Sequence, residues 1–402
     1  MLRSQLGQNY NPLFFLASLG AGGLSVSFFV YLFLMVPHPD TPLVTFNHLW
    51  PILTGDSLFQ AVMVALAMVA ILIFAYFHFR LLVWNIREYQ LFKRSEGFES
   101  FKNSNAAISL MAIPLTLAMS INVMFVLGAV FVPNLWSIVE YLFPGALLAF
   151  LAVGAYALLI LGQYFTRFLC VKAEFDFSKN NSLAPMVSIF ALSMIAVGLA
   201  APGAMSQNQI VNAIGLGFSI FFATIAVVLM VVKLVLGFDA MLRHGMRVEA
   251  AGSLWILIPI MTLLGITYLR MSHGLEHGFG DPIHPASTFV MMTIFLSIQI
   301  LFGLIGYAIM KELNYFRDYL NGDKANAGTF ALVCPGVAFF VFGMFYLSMA
   351  LISNGIIEQF TLAYYLLMAP FVLVQLKTIQ VFFKLRSRVL VERSAQPATV
   401  NN

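Results

Sequence analysis

Ten stretches of this chain are apolar and long enough to cross a lipid bilayer, and they constrain the fold more than any other feature. A spanning helix needs about 20 mostly apolar residues. The 402 residues are 61% hydrophobic and only 9% charged, whereas roughly 25% of residues are charged in an average soluble domain. The sequence therefore predicts an all-α polytopic membrane protein, whose spanning helices cover approximately 13–36, 57–79, 105–131, 138–168, 183–201, 208–236, 251–271, 285–311, 328–352 and 357–384.

The basic residues indicate which way these helices cross the membrane. Of the 21 lysine and arginine residues, all except Arg270 fall on the side that holds both chain termini. Basic residues concentrate on the cytoplasmic side of membrane proteins. We therefore expect a cytoplasmic N-terminus (1–12), a ten-helix domain (13–384) and a cytoplasmic C-terminal tail (385–402). The compact chain favours a bacterial inner membrane.

Four odd-numbered segments carry one proline each at a similar depth. Pro114, Pro185, Pro259 and Pro335 follow one another at steps of 71, 74 and 76 residues. A proline inside a helix removes a hydrogen bond and bends the helix, and in a membrane such an irregularity survives only where it faces protein or water. A packing kink explains any one of these prolines. The ten spans form five helical hairpins, and four prolines in register predict that the bent odd helices surround a central pore.

The residues around these bends are the candidates for the pore wall. The first odd segment has glycines where the others have prolines, and glycine also permits bending and close helix approach. The expected pore-lining residues are Gly20, Gly22, Ile113, Pro114, Ala184, Pro185, Ile258, Pro259, Cys334 and Pro335. The candidates for polar groups in the pore are Thr116, Ser120, Asn122, Ser188 and Thr262. Ser120 and Asn122 are equally suited to joining helices by hydrogen bonds.

Several kinds of chemistry are missing from the sequence. Aspartate and glutamate fall only in loops or at helix ends, whereas a proton-coupled transporter usually keeps a carboxylate or histidine within the membrane. His78 is the only histidine expected inside a span, so the paired ligands of a membrane haem are missing. No phosphate-binding glycine loop or nucleophile elbow is present. We therefore expect no enzyme activity, no cofactor, no metal site and no nucleic-acid partner.

The hairpin and proline pattern resembles the tellurite-resistance/C4-dicarboxylate transporter family, which includes the slow-type anion channels of plant guard cells. The local matches are MAIPLT at Met111–Thr116, LAP at Leu183–Pro185 and ILIP at Ile256–Pro259, and the overall pattern spans about 13–384. The resemblance implies odd helices that line a pore within each subunit, even helices that form an outer ring, and a homotrimer.

The resemblance also implies a phenylalanine that plugs the pore, placed directly before the proline of the ninth helix. This chain has Cys334 at that position. Phe330 lies one helical turn earlier on the same face, and Phe14 lies in the first segment. The candidate gate residues are therefore Phe330, Cys334 and Phe14.

The resemblance implies an anion channel or facilitator for small inorganic or organic anions, surrounded by membrane lipid. The partially positive N-terminal ends of half-helices and the basic cytoplasmic rim would favour anions, whereas the carbonyl freed at each bend would favour cations. One alternative is a proton-coupled secondary exporter of sulfite, a dicarboxylate or a similar anion. Another is a membrane protein that transports nothing, such as an assembly or sensor component.

Overall fold

Ten long apolar helices make up most of the chain. The computed structural model describes residues 2–170, 181–280 and 282–392, and within these ranges it contains no β-strand beyond one isolated bridge. The spanning helices, numbered in chain order, are α1 (Pro12–Met35), α2 (Leu58–Lys93), α3 (Asn105–Phe131), α4 (Leu135–Cys170), α5 (Ala184–Met205), α6 (Gln209–His244), α7 (Val248–Phe279), α8 (Pro285–Glu312), α9 (Ala327–Ile352) and α10 (Leu362–Leu390). The predicted all-α polytopic membrane fold is confirmed.

The five odd helices form a closed ring. Each odd helix contacts the next one along the chain, and α9 contacts α1 to close the circle. The even helices pack outside, in the grooves between neighbouring odd helices: α2 contacts α1 and α3, α4 contacts α3 and α5, and α6, α8 and α10 continue the pattern. The molecule is therefore five helical hairpins, with one helix of each in the inner ring.

Burial separates the two rings. In the most apolar window of each odd helix, 67–83% of residues are buried, against 17–39% in the even helices. Both sets are equally suited to a bilayer by composition, so the even helices present their apolar side chains to lipid. The inner helices instead bury most of their residues inside the protein, as the ring arrangement requires.

The prolines of the odd helices lie where the helix changes type. α3 is a 3₁₀ helix from Asn105 to Met111 and becomes α-helical at Ala112; α5, α7 and α9 begin in the same way. Pro114, Pro259 and Pro335 are each the third residue of the α-helical part. A proline in the first turn lacks only an N–H that has no partner within that α-helix. The expected irregularity is therefore a junction between two helix types at the first α-helical turn.

Some helices extend beyond the spans expected from hydropathy. α2 continues to Lys93, α6 to His244 and α7 to Phe279. The last turns of α7 include the polar residues His273 and Glu276, so hydropathy alone ends that span too early. This extension places Arg270 well inside α7, about 13 Å along the axis from its end, rather than at the outer end of the span.

The two chain ends meet on one side of the ring. Leu2 and Val391 form an antiparallel bridge, and the Arg3 N–H donates to the Leu390 carbonyl at 2.8 Å. Both termini therefore lie on the same side, as an even number of spans requires. This side is called proximal below, and the opposite side distal. The basic residues Lys172, Lys179 and Arg393, which contributed to the predicted orientation, lie outside the described residues.

Candidate functional site

Two cavities lie within the ring, one above the other. The proximal cavity has a volume of about 620 Å³ and extends to both chain ends. The distal cavity has a volume of about 190 Å³ and opens toward the loops on the other side. All five odd helices contribute side chains to each cavity. The ring thus encloses two chambers that follow its axis.

Three residues line both cavities and form the boundary between them, called the waist below. They are Phe190 of α5, Pro259 of α7 and Cys334 of α9. The Phe190 side chain is 4% exposed and Cys334 is 8% exposed, so little open space remains at this level. An apolar constriction of this kind can close a pore by excluding water.

The wall of the distal cavity is apolar and combines aliphatic, aromatic and thioether side chains. Its phenylalanines and methionines are Phe29, Met119, Phe125, Phe143, Phe150, Phe190, Met194 and Met205, and the aliphatic residues include Leu19, Leu43, Leu263 and Ile266. The polar side chains are few: Asn122 of α3, and Thr262 and Arg270 of α7. The Asn122 amide donates to the Ala118 carbonyl at 3.3 Å. This chamber is therefore an apolar space with a small polar region.

Arg270 is the only charged residue among the described residues that line the distal cavity. It is half-buried, and its Nη1 donates to the Val197 carbonyl of α5 at 2.6 Å. Among the residues that the structure describes, no carboxylate forms an ion pair with it. Placing an arginine within a membrane span costs about 2.5–3.5 kcal/mol. A guanidinium without a carboxylate partner is therefore a candidate functional group.

The proximal cavity is more polar than the distal one and carries three arginines. Arg3, Arg247 and Arg388 line it, together with one described carboxylate, Glu249. Arg247 pairs with Glu249. Arg388 instead donates to the Gly322 carbonyl at 2.9 Å. The cavity therefore keeps an excess of positive charge at the proximal end of the path.

The N-terminal segment builds part of this cavity, because α2 holds it in place. The Glu88 carboxylate accepts the backbone N–H groups of Gln5 and Leu6 at 3.1 and 2.8 Å. The Tyr10 hydroxyl donates to the Asn85 side chain at 2.9 Å. Burial raises the pKa of Tyr10 well above its usual range, so the hydroxyl remains a neutral donor. These bonds fix Arg3 and the residues that follow it beside the cavity.

Six of the ten expected pore-lining residues face a cavity. Gly20 lines the distal cavity, whereas Ala184, Pro185 and Pro335 line the proximal one; Pro259 and Cys334 belong to the waist. The four that line neither cavity are Gly22, Ile113, Pro114 and Ile258.

Helix packing explains two of these four residues. A side chain at Gly22 would collide with His78 and Met119, so this glycine permits close packing of α1 with α2 and α3. Ile258 points toward Gly303 of α8. Adjacent residues of one helix face different directions, so a motif of consecutive residues cannot line one path throughout.

Two of the five polar candidates reach a cavity, namely Asn122 and Thr262. Thr262 also joins helices, because its hydroxyl lies 3.0 Å from the Ala338 carbonyl of α9 and accepts a bond from Gln299 of α8. The other candidates line neither cavity. Ser120 bonds His78 of α2 at 2.9 Å, and so joins two helices.

The remaining two polar candidates bond to backbone carbonyls. Thr116 donates to Phe15 and Ala112, and Ser188 donates to Pro185. The half-helix ends are also occupied: the N–H groups of Ala112, Val187 and Val333 bond carbonyls of the preceding 3₁₀ turn. Positive charge along the path therefore comes from arginines rather than from free helix ends.

The gate candidates are placed differently from one another. Phe14 lines the proximal cavity, Cys334 lies in the waist, and Phe330 is fully buried and lines neither cavity. Phe190 was not among the candidates, because nothing in the sequence distinguishes it from the other 39 of the 40 phenylalanines. Arg270 did carry a signal, since it was the one basic residue predicted on the distal side.

Comparisons of the chain with protein-family models, with curated proteins and with solved structures give no match. Ten apolar helices arranged around two axial chambers are the architecture of a membrane transporter or channel. The charge and polarity of the residues that line the chambers are therefore the features that bear on the substrate and mechanism.

Proposed function

We propose that this protein is an anion channel or facilitator, with the path running through the ring of each subunit. The observation that carries the proposal is the charge of the two chambers. The described lining residues include four arginines, Arg3, Arg247, Arg270 and Arg388, but only one carboxylate, Glu249, which is already paired. A cation would meet repulsion in both chambers, whereas an anion would be attracted in both.

The two chambers would have different roles in conduction. The arginines of the proximal cavity raise the local anion concentration through their field. Arg270 provides a single charged group beyond the waist, which is enough to offset dehydration without holding the anion too tightly to leave. Phe190 and Cys334, which line both cavities, would form the gate, and movement of the Phe190 ring would open it.

The assignment to the tellurite-resistance/C4-dicarboxylate transporter family is part of the same proposal. It is supported by the resemblance of the proline motifs, and the ring of five odd helices is what that resemblance implies. We further propose a homotrimer whose lipid-facing even helices provide the subunit contacts, in a bacterial inner membrane. The proximal side, which carries most of the basic residues, would be cytoplasmic.

Current through the purified protein in a planar bilayer tests the proposal. Under a potassium chloride gradient, the reversal potential should lie near the chloride equilibrium potential. A reversal potential near that of potassium would refute anion selectivity. Replacing chloride by nitrate or sulfite on one side then ranks the permeant anions.

A proton-coupled exporter predicts different behaviour. Its relay would need an unpaired carboxylate or histidine beside the path. The one described carboxylate that lines a cavity, Glu249, is paired with Arg247, and His78 of α2 is fully buried against α1 and α3 and lines neither cavity. We therefore expect anion uptake into liposomes to be unchanged by an imposed pH gradient. Uptake that requires the gradient would favour the exporter instead.

A further inference from the structure

The distal cavity holds one guanidinium whose hydrogen-bonding capacity is mostly unused. Arg270 makes a single hydrogen bond within the described part of the chain, from Nη1 to the Val197 carbonyl. A guanidinium has five N–H donors in a planar fork, and two of them can bind both oxygens of one carboxylate. Asn122 lines the same cavity, and its amide donates to the Ala118 carbonyl and to the Met194 sulfur. The unused donors of Arg270 are therefore the groups suited to a carboxylate.

The rest of the chamber is suited to an apolar body. Its volume is about 190 Å³, which exceeds the roughly 150 Å³ of an apolar protein cavity that takes up benzene. The wall is apolar and includes five phenylalanine and three methionine side chains, whose faces and thioethers pack well against aromatic rings. A small inorganic anion would leave most of this wall without contacts. An aromatic or branched monocarboxylate would fill it.

The number of charges excludes a dianion as the preferred ligand. Only one cation lines the distal cavity among the described residues. The second carboxylate of a dicarboxylate would lie against the apolar wall without a partner, and burying an unpaired charge is costly. We infer that the distal cavity is a binding site for a monocarboxylate with a compact apolar body, held by Arg270. This inference deepens the proposed function and rests on it.

Binding to the purified wild-type protein tests the inference without any variant. Isothermal titration calorimetry in detergent would compare benzoate, acetate and succinate at pH 7.5. We expect benzoate to bind at least tenfold more tightly than acetate, because of its ring, and at least tenfold more tightly than succinate, because of the second charge. Succinate binding as tight as benzoate binding, or acetate equal to benzoate, would overturn the inference.

Variants locate the site. Arg270→Gln should weaken benzoate binding at least tenfold, and Arg270→Lys, which keeps the charge but loses the fork, should weaken it severalfold. Ala201→Leu places a larger side chain in the cavity wall and should weaken benzoate binding more than acetate binding. The control is Arg243→Gln, an exposed arginine at the end of α6 that pairs with Asp239. Unchanged benzoate affinity in Arg270→Gln would refute the site.

Chloride current separates this inference from the proposed function. If benzoate binds as described but the reconstituted protein carries no chloride, the anion-channel proposal fails and the binding site stands. If chloride passes but benzoate does not bind, the ligand class is wrong and the channel proposal stands. Wild-type current that benzoate inhibits from the distal side, with loss of inhibition in Arg270→Gln, would support both.

Discussion

The two chambers of the ring differ in what surrounds a bound anion. The proximal cavity is large and polar, and its arginines are bonded to a carboxylate or to carbonyls close to the chain ends. The distal cavity is small and apolar, with the single arginine Arg270 inside the span. Charges near water are screened by salt, whereas charges in an apolar interior are screened much less. In the proposed function, the proximal chamber would therefore collect anions and the distal chamber would select among them.

The waist separates the two chambers, so an anion must pass it to move from one environment to the other. Phe190 and Cys334 contact both chambers, so an anion that passes them leaves a polar chamber with several cations for an apolar one with a single cation. In the proposed function, anions would first be concentrated in the proximal chamber, then lose water at the waist, and then be bound by the Arg270 guanidinium. Substitutions in each part should therefore alter different measurements.

The largest effect is expected in the distal chamber. Arg270→Gln removes its only charge, and hydrogen bonds to charged groups are worth about 1.5–3 kcal/mol, so the chloride-to-potassium permeability ratio should fall about ten- to a hundredfold. Reversal potentials in planar bilayers measure this ratio. Arg243→Gln, on the exposed end of α6, should leave the ratio unchanged. Equal ratios in wild type and Arg270→Gln would show that selectivity lies elsewhere.

Opening the waist should increase conductance without changing selectivity. Phe190→Ala removes the ring that separates the chambers, and lowering a barrier by about 1.4 kcal/mol raises a rate about tenfold. Single-channel recording measures the increase. Phe190→Leu and Phe330→Leu form a matched pair, since both rings are buried but only Phe190 lines the cavities. A similar increase in both variants would argue against a gate at Phe190.

Filling the waist should have the opposite, somewhat smaller effect. Cys334→Phe adds a second ring beside Phe190, and we expect the chloride flux into liposomes to fall about fivefold, equivalent to about 1 kcal/mol. The control is Cys170→Phe at the exposed end of α4. Undiminished flux through correctly folded Cys334→Phe would place the path away from α9.

The smallest effect is expected in the proximal chamber. Arg247→Gln removes one of several arginines there, so the chloride current should decrease about twofold in dilute salt. The difference should disappear near 1 M salt, where the screening length is about 3 Å. The Arg270→Gln effect should persist at that salt concentration. If both variants responded to salt alike, the contrast between the chambers would be wrong.

The sequence predicted the architecture well because bilayer length and hydropathy act on each helix separately. Ten spans, five hairpins and the two rings all follow from that pattern together with the family resemblance. The residues of each inner helix that face the cavities could not be predicted in this way. Pro259 faces the path while Pro114 does not, although both have the same place in their motifs. The face of an inner helix that lines the cavities depends on how the helix packs against its two neighbours. A short sequence motif does not contain that information.

Arg270 and Phe190 also show what the sequence could not predict about the site. Arg270 was conspicuous as a lone distal cation, but its place in the chamber required α7 to continue through the polar residues that follow. Phe190 had no sequence signal, because a phenylalanine at a waist and one facing lipid are equally apolar. Conversely, Ser120 and Asn122 were equivalent candidates, and only the structure separates the helix contact with His78 from the cavity wall.

The most direct test of the central claim uses Cys334 as a probe of the path. In a Cys170→Ser background it is the only cysteine, and the anionic thiol reagent methanethiosulfonate ethylsulfonate should reach it from a chamber. We expect modification to block the chloride current, faster than with the cationic trimethylammonium analogue, and expect Cys334→Ser to abolish the block. Current that continues after mass spectrometry shows complete modification of Cys334, or faster reaction with the cation, would contradict an anion path through this waist.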